Sequence, residues 1–262
     1  MIRSLASFFA VFLGTMVAAE DIRLAVTTSF DNSGLSRVLI PEIKSDTGLD
    51  VQLLVVGTGQ ALRLGAAGDV DAVLVHSRRA EDAFLAAGHG THRREIMYND
   101  FVLVGPSDLG SADTIAATMS ALATLKAPFI SRGDDSGTHN AELRLWKAAD
   151  LDVASFDDWY RAVGAGMGAA LNTASAMDAY VISDRASWLN FGNKGRLKIV
   201  FSGDPALFNQ YAYLPVNPNK GQNVHHERAL QLETWLTSDR AEALINDYQI
   251  DGQPLFVFNA IP

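Results

Sequence analysis

Cysteine is absent from the 262 residues. That excludes a disulfide framework, thiol catalysis and any zinc site built on thiolates. Cationic residues are in the minority: 21 Lys and Arg stand against 30 Asp and Glu, a formal charge of −9, and no Lys/Arg run interrupts the acidity. A nucleic-acid partner is therefore not expected. Repeats of solenoid period and low-complexity tracts are also missing. What remains is ordinary globular composition, 48% hydrophobic and 19% charged, long enough for one large domain or two lobes with proper cores.

The one long apolar stretch stands at the start. Arg3, the run from Leu5 to Val17 and the small-residue site Val17-Ala18-Ala19 have the layout of a secretory signal peptide, and the run is too short for a spanning helix. Residues 1–19 are thus expected to be removed, which takes away Arg3 and makes the chain more acidic. No cysteine follows to carry a lipid anchor, so the expectation is a soluble, monomeric protein exported to the periplasm.

Beyond the leader, short β-branched strands alternate with amphipathic helices, the pattern of parallel βαβ units. Three strand-to-helix turns share one chemistry. Ile22–Val26 runs into Thr27-Thr28-Ser29-Phe30-Asp31-Asn32-Ser33-Gly34, with Asn32 or Ser33 as the expected cap. Val51–Val56 runs into Gly57-Thr58-Gly59. The strand around Phe129-Ile130 runs into Ser131-Arg132-Gly133-Asp134-Asp135-Ser136-Gly137-Thr138-His139, where Asp135 or Ser136 would cap the next helix. Each turn sets small hydroxyls and free N–H groups at a helix start, where the dipole favours negative charge. Gly34, Gly59 and Gly137 would let the backbone come close to a ligand. Arg132 adds one fork-shaped cation, which Asp134 or Asp135 could orient from behind. The set is a donor-only shell for a small oxyanion.

Arg94–Pro106 and Asn209–Pro218 read as paired extended crossings between two lobes, with a hinge between them and closure over a ligand as the motion. Residues 20–104 and 210–262 form the expected first lobe and residues 105–209 the second. A flexible turn at Gly164–Gly168 precedes a helix from Ala169 to Met177, and one helix is expected from Glu227 to Asn246.

Other chemistries are weaker on the same residues. His89/His92 and His225/His226 have no acidic partner at a metal-ligand spacing, so no metal or cofactor is expected. Asp135-Ser136-Gly137 resembles the nucleophile segment of a serine hydrolase. However, His139 is badly placed to serve Ser136 as a base, and the glycine elbow is absent.

TTSFDNSGL, VGTGQALRLGAAGDVDAVLVHS, MYNDFVLVGP, SRGDDSGTHNAELRLW, GAGMGAALNTASAMDAYVISDR and GDPALFNQYAYLPVNP, in this order, resemble the periplasmic tungstate-binding proteins of bacterial ABC importers. The resemblance spans essentially the whole chain after the leader. It implies an α/β, two-lobed type II periplasmic binding fold with tungstate held between the lobes and delivered to a membrane permease. By the same resemblance Thr28, Ser29 and Thr58 bind from the first lobe, and Ser131, Arg132, Ser136, Gly137 and Thr138 from the second. Phe30 stands where that family usually has Thr. Molybdate has nearly the same size and charge as tungstate. A phosphate receptor shares the Arg-x-x-x-Ser-Gly-Thr pattern, but protonated phosphate calls for a carboxylate acceptor, whereas an unprotonated dianion calls for donors only.

Overall fold

The computed structural model describes residues 20–107, 109–110 and 112–261. The expected signal sequence lies outside the described residues. In chain order the elements are β1 (Glu20–Thr27), α1 (Thr28–Ser33), α2 (Ser36–Thr47), β2 (Leu49–Val56), α3 (Thr58–Ala67), β3 (Ala72–Val75), α4 (Arg78–Ala86) and β4 (Arg94–Gly105). They continue as α5 (Ile115–Leu125), β5 (Phe129–Ser131), α6 (Gly137–Ala148), β6 (Tyr160–Ala162), α7 (Met167–Met177), β7 (Tyr180–Asp184), α8 (Arg185–Asn190) and β8 (Lys198–Phe201). The chain closes with β9 (Phe208–Pro215), α9 (His226–Leu236), α10 (Asp239–Asn246) and the short strands β10 (Gln249–Ile250), β11 (Gln253–Pro254) and β12 (Val257–Phe258).

Two parallel groups of strands sit at the ends of one sheet path, β2-β1-β3-β9-β4-β7-β5-β6. β1 pairs in parallel with β2 and β3, and β5 with β6 and β7. The antiparallel strands β9 and β4 join the two groups. β4 changes partner partway along: residues 94–100 pair with β9, and residues 101–104 pair with β7. Phe101–Val104, expected in the first lobe, are therefore hydrogen-bonded to the second group. The Arg185 guanidinium grips the Asp100 carboxylate at this changeover, Nε to Oδ1 at 2.6 Å.

The core follows from alternation along these strands. Ile22, Leu24 and Val26 of β1 fall on one face with Leu35, Leu39 and Ile43 of the following helix, and all are buried. Ala25 faces the other way, towards Leu62, Val73 and Phe84. Trp146 is fully buried in the second group and makes an edge contact with Phe129 at 5.0 Å.

Two local expectations are corrected. Neither Asn32 nor Ser33 caps the helix that follows them: Thr28–Ser33 is itself helical, capped by Thr27 accepting from the Phe30 N–H, and α2 starts after Leu35 with no side-chain cap. The single helix expected over 227–246 is two helices, since the Ser238 hydroxyl accepts from the Ala241 N–H and starts a new one.

Candidate oxyanion site

The carboxyl ends of parallel strands are where open α/β sheets bind their ligands, and here the two groups point those ends at each other. β1 delivers Thr28 and Ser29, β2 delivers Gly57 and Thr58, and β3 delivers His76. From the other group, β5 delivers Arg132 and the start of α6, and β7 delivers Asp184. An inner hollow is lined by Thr27, Thr28, Ser29, Gly57, Thr58, His76, Arg132, Ser136, Gly137 and Thr138. A wider hollow of about 310 Å³ adjoins it, lined by Thr28, Ser29 and Arg132 with Asn32, Asp184, Ser187 and the start of α7.

Seven of the eight residues expected in the site thus meet at one place: Thr28, Ser29, Thr58, Arg132, Ser136, Gly137 and Thr138. Ser131 does not join them. It is fully buried on β5 and lines neither hollow, and its Oγ has no hydrogen-bond partner among the described residues, although its dipole acts on the Glu142 carboxyl. Burial pushes that carboxyl up to about 7, only partly offset by Ser131, the Tyr160 hydroxyl and the Trp146 indole N–H.

Among the donors, Thr58 is informative. It is only 7% exposed and its Oγ1 is buried with no hydrogen-bond partner among the described residues, which is costly unless a ligand supplies one. Gly57 offers α3 no side-chain cap and Gly166 offers α7 none, so these helix starts keep free N–H groups. Ser136 caps α6 by accepting from the His139 N–H at 3.2 Å, so that amide is not free for a ligand. His139 Nδ1 accepts from the Asp135 N–H at 3.1 Å and so is not positioned as a base for Ser136.

Arg132 is 8% exposed. Its Nε and Nη2 both donate to Asp134 Oδ2, at 3.1 and 2.5 Å, and Nη1 reaches Thr138 Oγ1 at 3.4 Å. Burial alone would raise the Asp134 carboxyl, but hydrogen bonds from Ser136 and Arg132 outweigh it and hold the pKa below the ordinary value. Asp134 therefore stays ionised and fixes the guanidinium plane.

Of the three glycines expected near a ligand, Gly137 lines the inner hollow, and Gly34 and Gly59 line neither. Gly34, at φ 84°, ends α1 beside the Tyr248 hydroxyl, which a Cβ would approach to 2.6 Å. Gly137 makes room for His76, whose Cε1 would lie 2.4 Å from a Cβ there. Phe30 is buried in the core and faces no hollow.

Sequence reasoning missed His76, Asp184 and the start of α7. The available signal was position: His76 follows a strand end as directly as Thr28 does. Burial, aided by the charges of Arg132 and Arg144 and opposed by the Asn209 amide, lowers the His76 pKa to about 4, so the ring is neutral at pH 7. Asp184 caps α8 through Oδ1, accepting from the Ser187 N–H at 2.9 Å, while Oδ2 is buried and unpartnered among the described residues. Burial raises its pKa against the pull of the Ser187 hydrogen bonds and the Arg132 charge. Of the histidines weighed as metal candidates, His89 has its Nδ1 buried with no hydrogen bond among the described residues. His92 bonds Glu233 at 2.7 Å and His226 bonds the Val216 carbonyl at 3.1 Å.

The PBP superfamily domain matches residues 16–240. The tungstate-binding protein TupA of Peptoclostridium acidaminophilum is 43% identical over 93% of this chain and 87% of its own length. Among solved structures, the tungstate-binding protein TupA from Desulfovibrio alaskensis G20 superposes with a TM-score of 0.85 at 39% identity, covering 93% of this chain and all of the other. A tungstate ABC transporter structure from Geobacter sulfurreducens gives 0.80 at 43% identity, covering 88% of this chain and all of the other. The chain belongs to the TupA family. Its fold is the type II periplasmic binding fold.

Proposed function

We propose that the chain captures tungstate as the binding component of an ABC importer, holding the oxyanion between its lobes and presenting it to a membrane permease. On this reading residues 1–19 act as a leader and the protein works in the periplasm as a diffusible monomer. Residues 20–104 and 210–262 act as one lobe and residues 105–209 as the other, with the changeover at Asp100/Phe101 as the hinge. The oxyanion is cargo, no cofactor is called for, and no bond is made or broken.

The observation that carries this reading is the convergence of helix starts, buried hydroxyls and one immobilised guanidinium on a small inner hollow. Tungstate and molybdate carry no proton at neutral pH and accept from every direction. Hydrogen bonds to a charged partner are roughly twice as strong as neutral ones, so several closing together support submicromolar binding. Thr28, Thr58, Arg132, Ser136, Gly137 and Thr138 supply the contacts. Ser131 supports the strand behind them.

One observation favours a second reading. Asp184 Oδ2 is an unpartnered acceptor beside Arg132, which would suit a protonated oxyanion such as hydrogen phosphate. A thermal-shift panel of tungstate, molybdate, sulfate, phosphate and chromate separates the two. A ligand that binds the folded state raises the midpoint, by about 2.7 kcal/mol of stabilisation at a hundred times its Kd. Tungstate and molybdate are expected to lead; a larger shift with phosphate would reverse the assignment.

A further inference from the structure

Ser29 was read from the sequence as a direct ligand, yet its hydroxyl is already committed. Its Oγ lies 3.0 Å from Thr27 Oγ1, 3.1 Å from the Tyr211 hydroxyl and 3.1 Å from His76 Nε2. Thr27 Oγ1 accepts the Phe30 N–H, and Ser29 Oγ is the hydrogen-bonded oxygen that the Thr27 and Tyr211 hydroxyls share. Tyr211 is fully buried and keeps its proton. The geometry allows both hydroxyls to donate to Ser29 Oγ, which then has one hydrogen left and His76 Nε2 as an acceptor within reach. A neutral imidazole that accepts at Nε2 carries its proton on Nδ1.

That nitrogen is the one without a partner. His76 Nδ1 is sealed from solvent with no hydrogen bond among the described residues, as is Thr58 Oγ1, and both residues line the inner hollow. The ring is held from both sides. Tyr211 lies against it at 4.8 Å between centroids, and Gly137 closes from the opposite lobe with no Cβ to keep it away. The opposite tautomer would turn a lone pair towards an anion.

We infer that His76 binds the oxyanion through its Nδ1–H, and that Ser29 stands behind it as the positioning hydroxyl that fixes the tautomer. This rests on the oxyanion reading above. It makes the β3–α4 loop a third first-lobe contributor, and the contact forms where the lobes meet at Gly137.

Two measurements test it. Nitrogen-15 NMR of the imidazole at pH 7 on the wild-type chain should show Nδ1 protonated and Nε2 bare; the reverse tautomer overturns the inference whatever the variants do. Calorimetry with tungstate should then separate two amides by position. His76→Asn, which keeps a donor near Nδ1, should retain most of the affinity. His76→Gln, whose amide falls near Nε2, should lose roughly ten- to a hundredfold, the range for one hydrogen bond to a charged group. Ser29→Ala should lose a similar factor alone and add little to His76→Gln. Full affinity in His76→Gln would overturn the inference. A wild-type chain that does not bind tungstate would instead overturn the functional reading, while the tautomer result still judges the placement of the proton.

Discussion

At the scale of single residues, the site is a balance between one fixed cation and one unpaired acid. Arg132 cannot swing away, because Asp134 holds two of its nitrogens. Arg132→Ala should therefore weaken tungstate binding by about a hundredfold or more, since it removes a charge-assisted contact and leaves Asp134 as an uncompensated charge at the hollow. Arg132→Lys should recover only part, because a point charge cannot satisfy both Asp134 and an anion in one plane. Calorimetry on both variants checks this. Asp184 works in the other direction. Asp184 lines the wider hollow and its Oδ2 has no partner among the described residues, so Asp184→Asn, which still caps α8, should strengthen dianion binding. A weaker complex would overturn that reading.

Among the elements, what matters is which ends are brought together. Gly137 begins α6 and touches His76 from the opposite lobe. Gly137→Ala has a helical backbone that alanine tolerates, but the new Cβ would lie 2.4 Å from the imidazole. The variant should fold and melt like the parent without ligand while binding tungstate at least tenfold less tightly, and small-angle scattering should find it open when the parent has closed. A lowered melting point with unchanged affinity would place the contact in folding instead of closure.

Much at this scale was readable in advance. The turns Thr27–Gly34, Gly57–Gly59 and Ser131–His139 announce themselves because hydroxyls and glycines cluster along the chain, and β3 at Ala72–Val75 is bounded by plain turn residues. What was not readable depends on neighbours distant in sequence. His76 stands alone between a strand and a helix and gains its role from Ser29 and Tyr211. Asp184 looks like any cap until Arg132 faces it. Ser131 shares a motif with Arg132 but points to the other side of β5, as the period of two along a strand requires. The break at Ser238 needed only a side-chain cap inside a continuous amphipathic pattern.

At the scale of the whole molecule, a net charge of −9 repels the proposed cargo at a distance. Screening over about 8 Å at physiological salt confines that repulsion, so the field of Arg132 and the helix starts governs the cleft. Two buried groups give stability a pH signature. His76 falls from 6.5 when unfolded to about 4 in the fold, so its contribution is present above 6.5 and is lost as the pH falls towards 4. Glu142 rises from 4.5 to about 7, so its contribution is present below 4.5 and is lost as the pH rises through 7. The two slopes oppose each other between 4.5 and 6.5. Glu142→Gln keeps an acceptor for Trp146 and Tyr160 and removes one slope. Its stability advantage should grow from pH 4.5 to 7, reaching about 1–3 kcal/mol, and denaturant melts across that range would show it. An advantage independent of pH would mean that Glu142 is ionised in the fold.

Isothermal titration of the chain lacking residues 1–19 with tungstate and with phosphate, at pH 7 in the same buffer, asks most directly whether two lobes close donors on an unprotonated dianion. The account predicts one tungstate per chain at submicromolar Kd and phosphate weaker by at least a hundredfold. Equal affinities, or heat from phosphate alone, would contradict it.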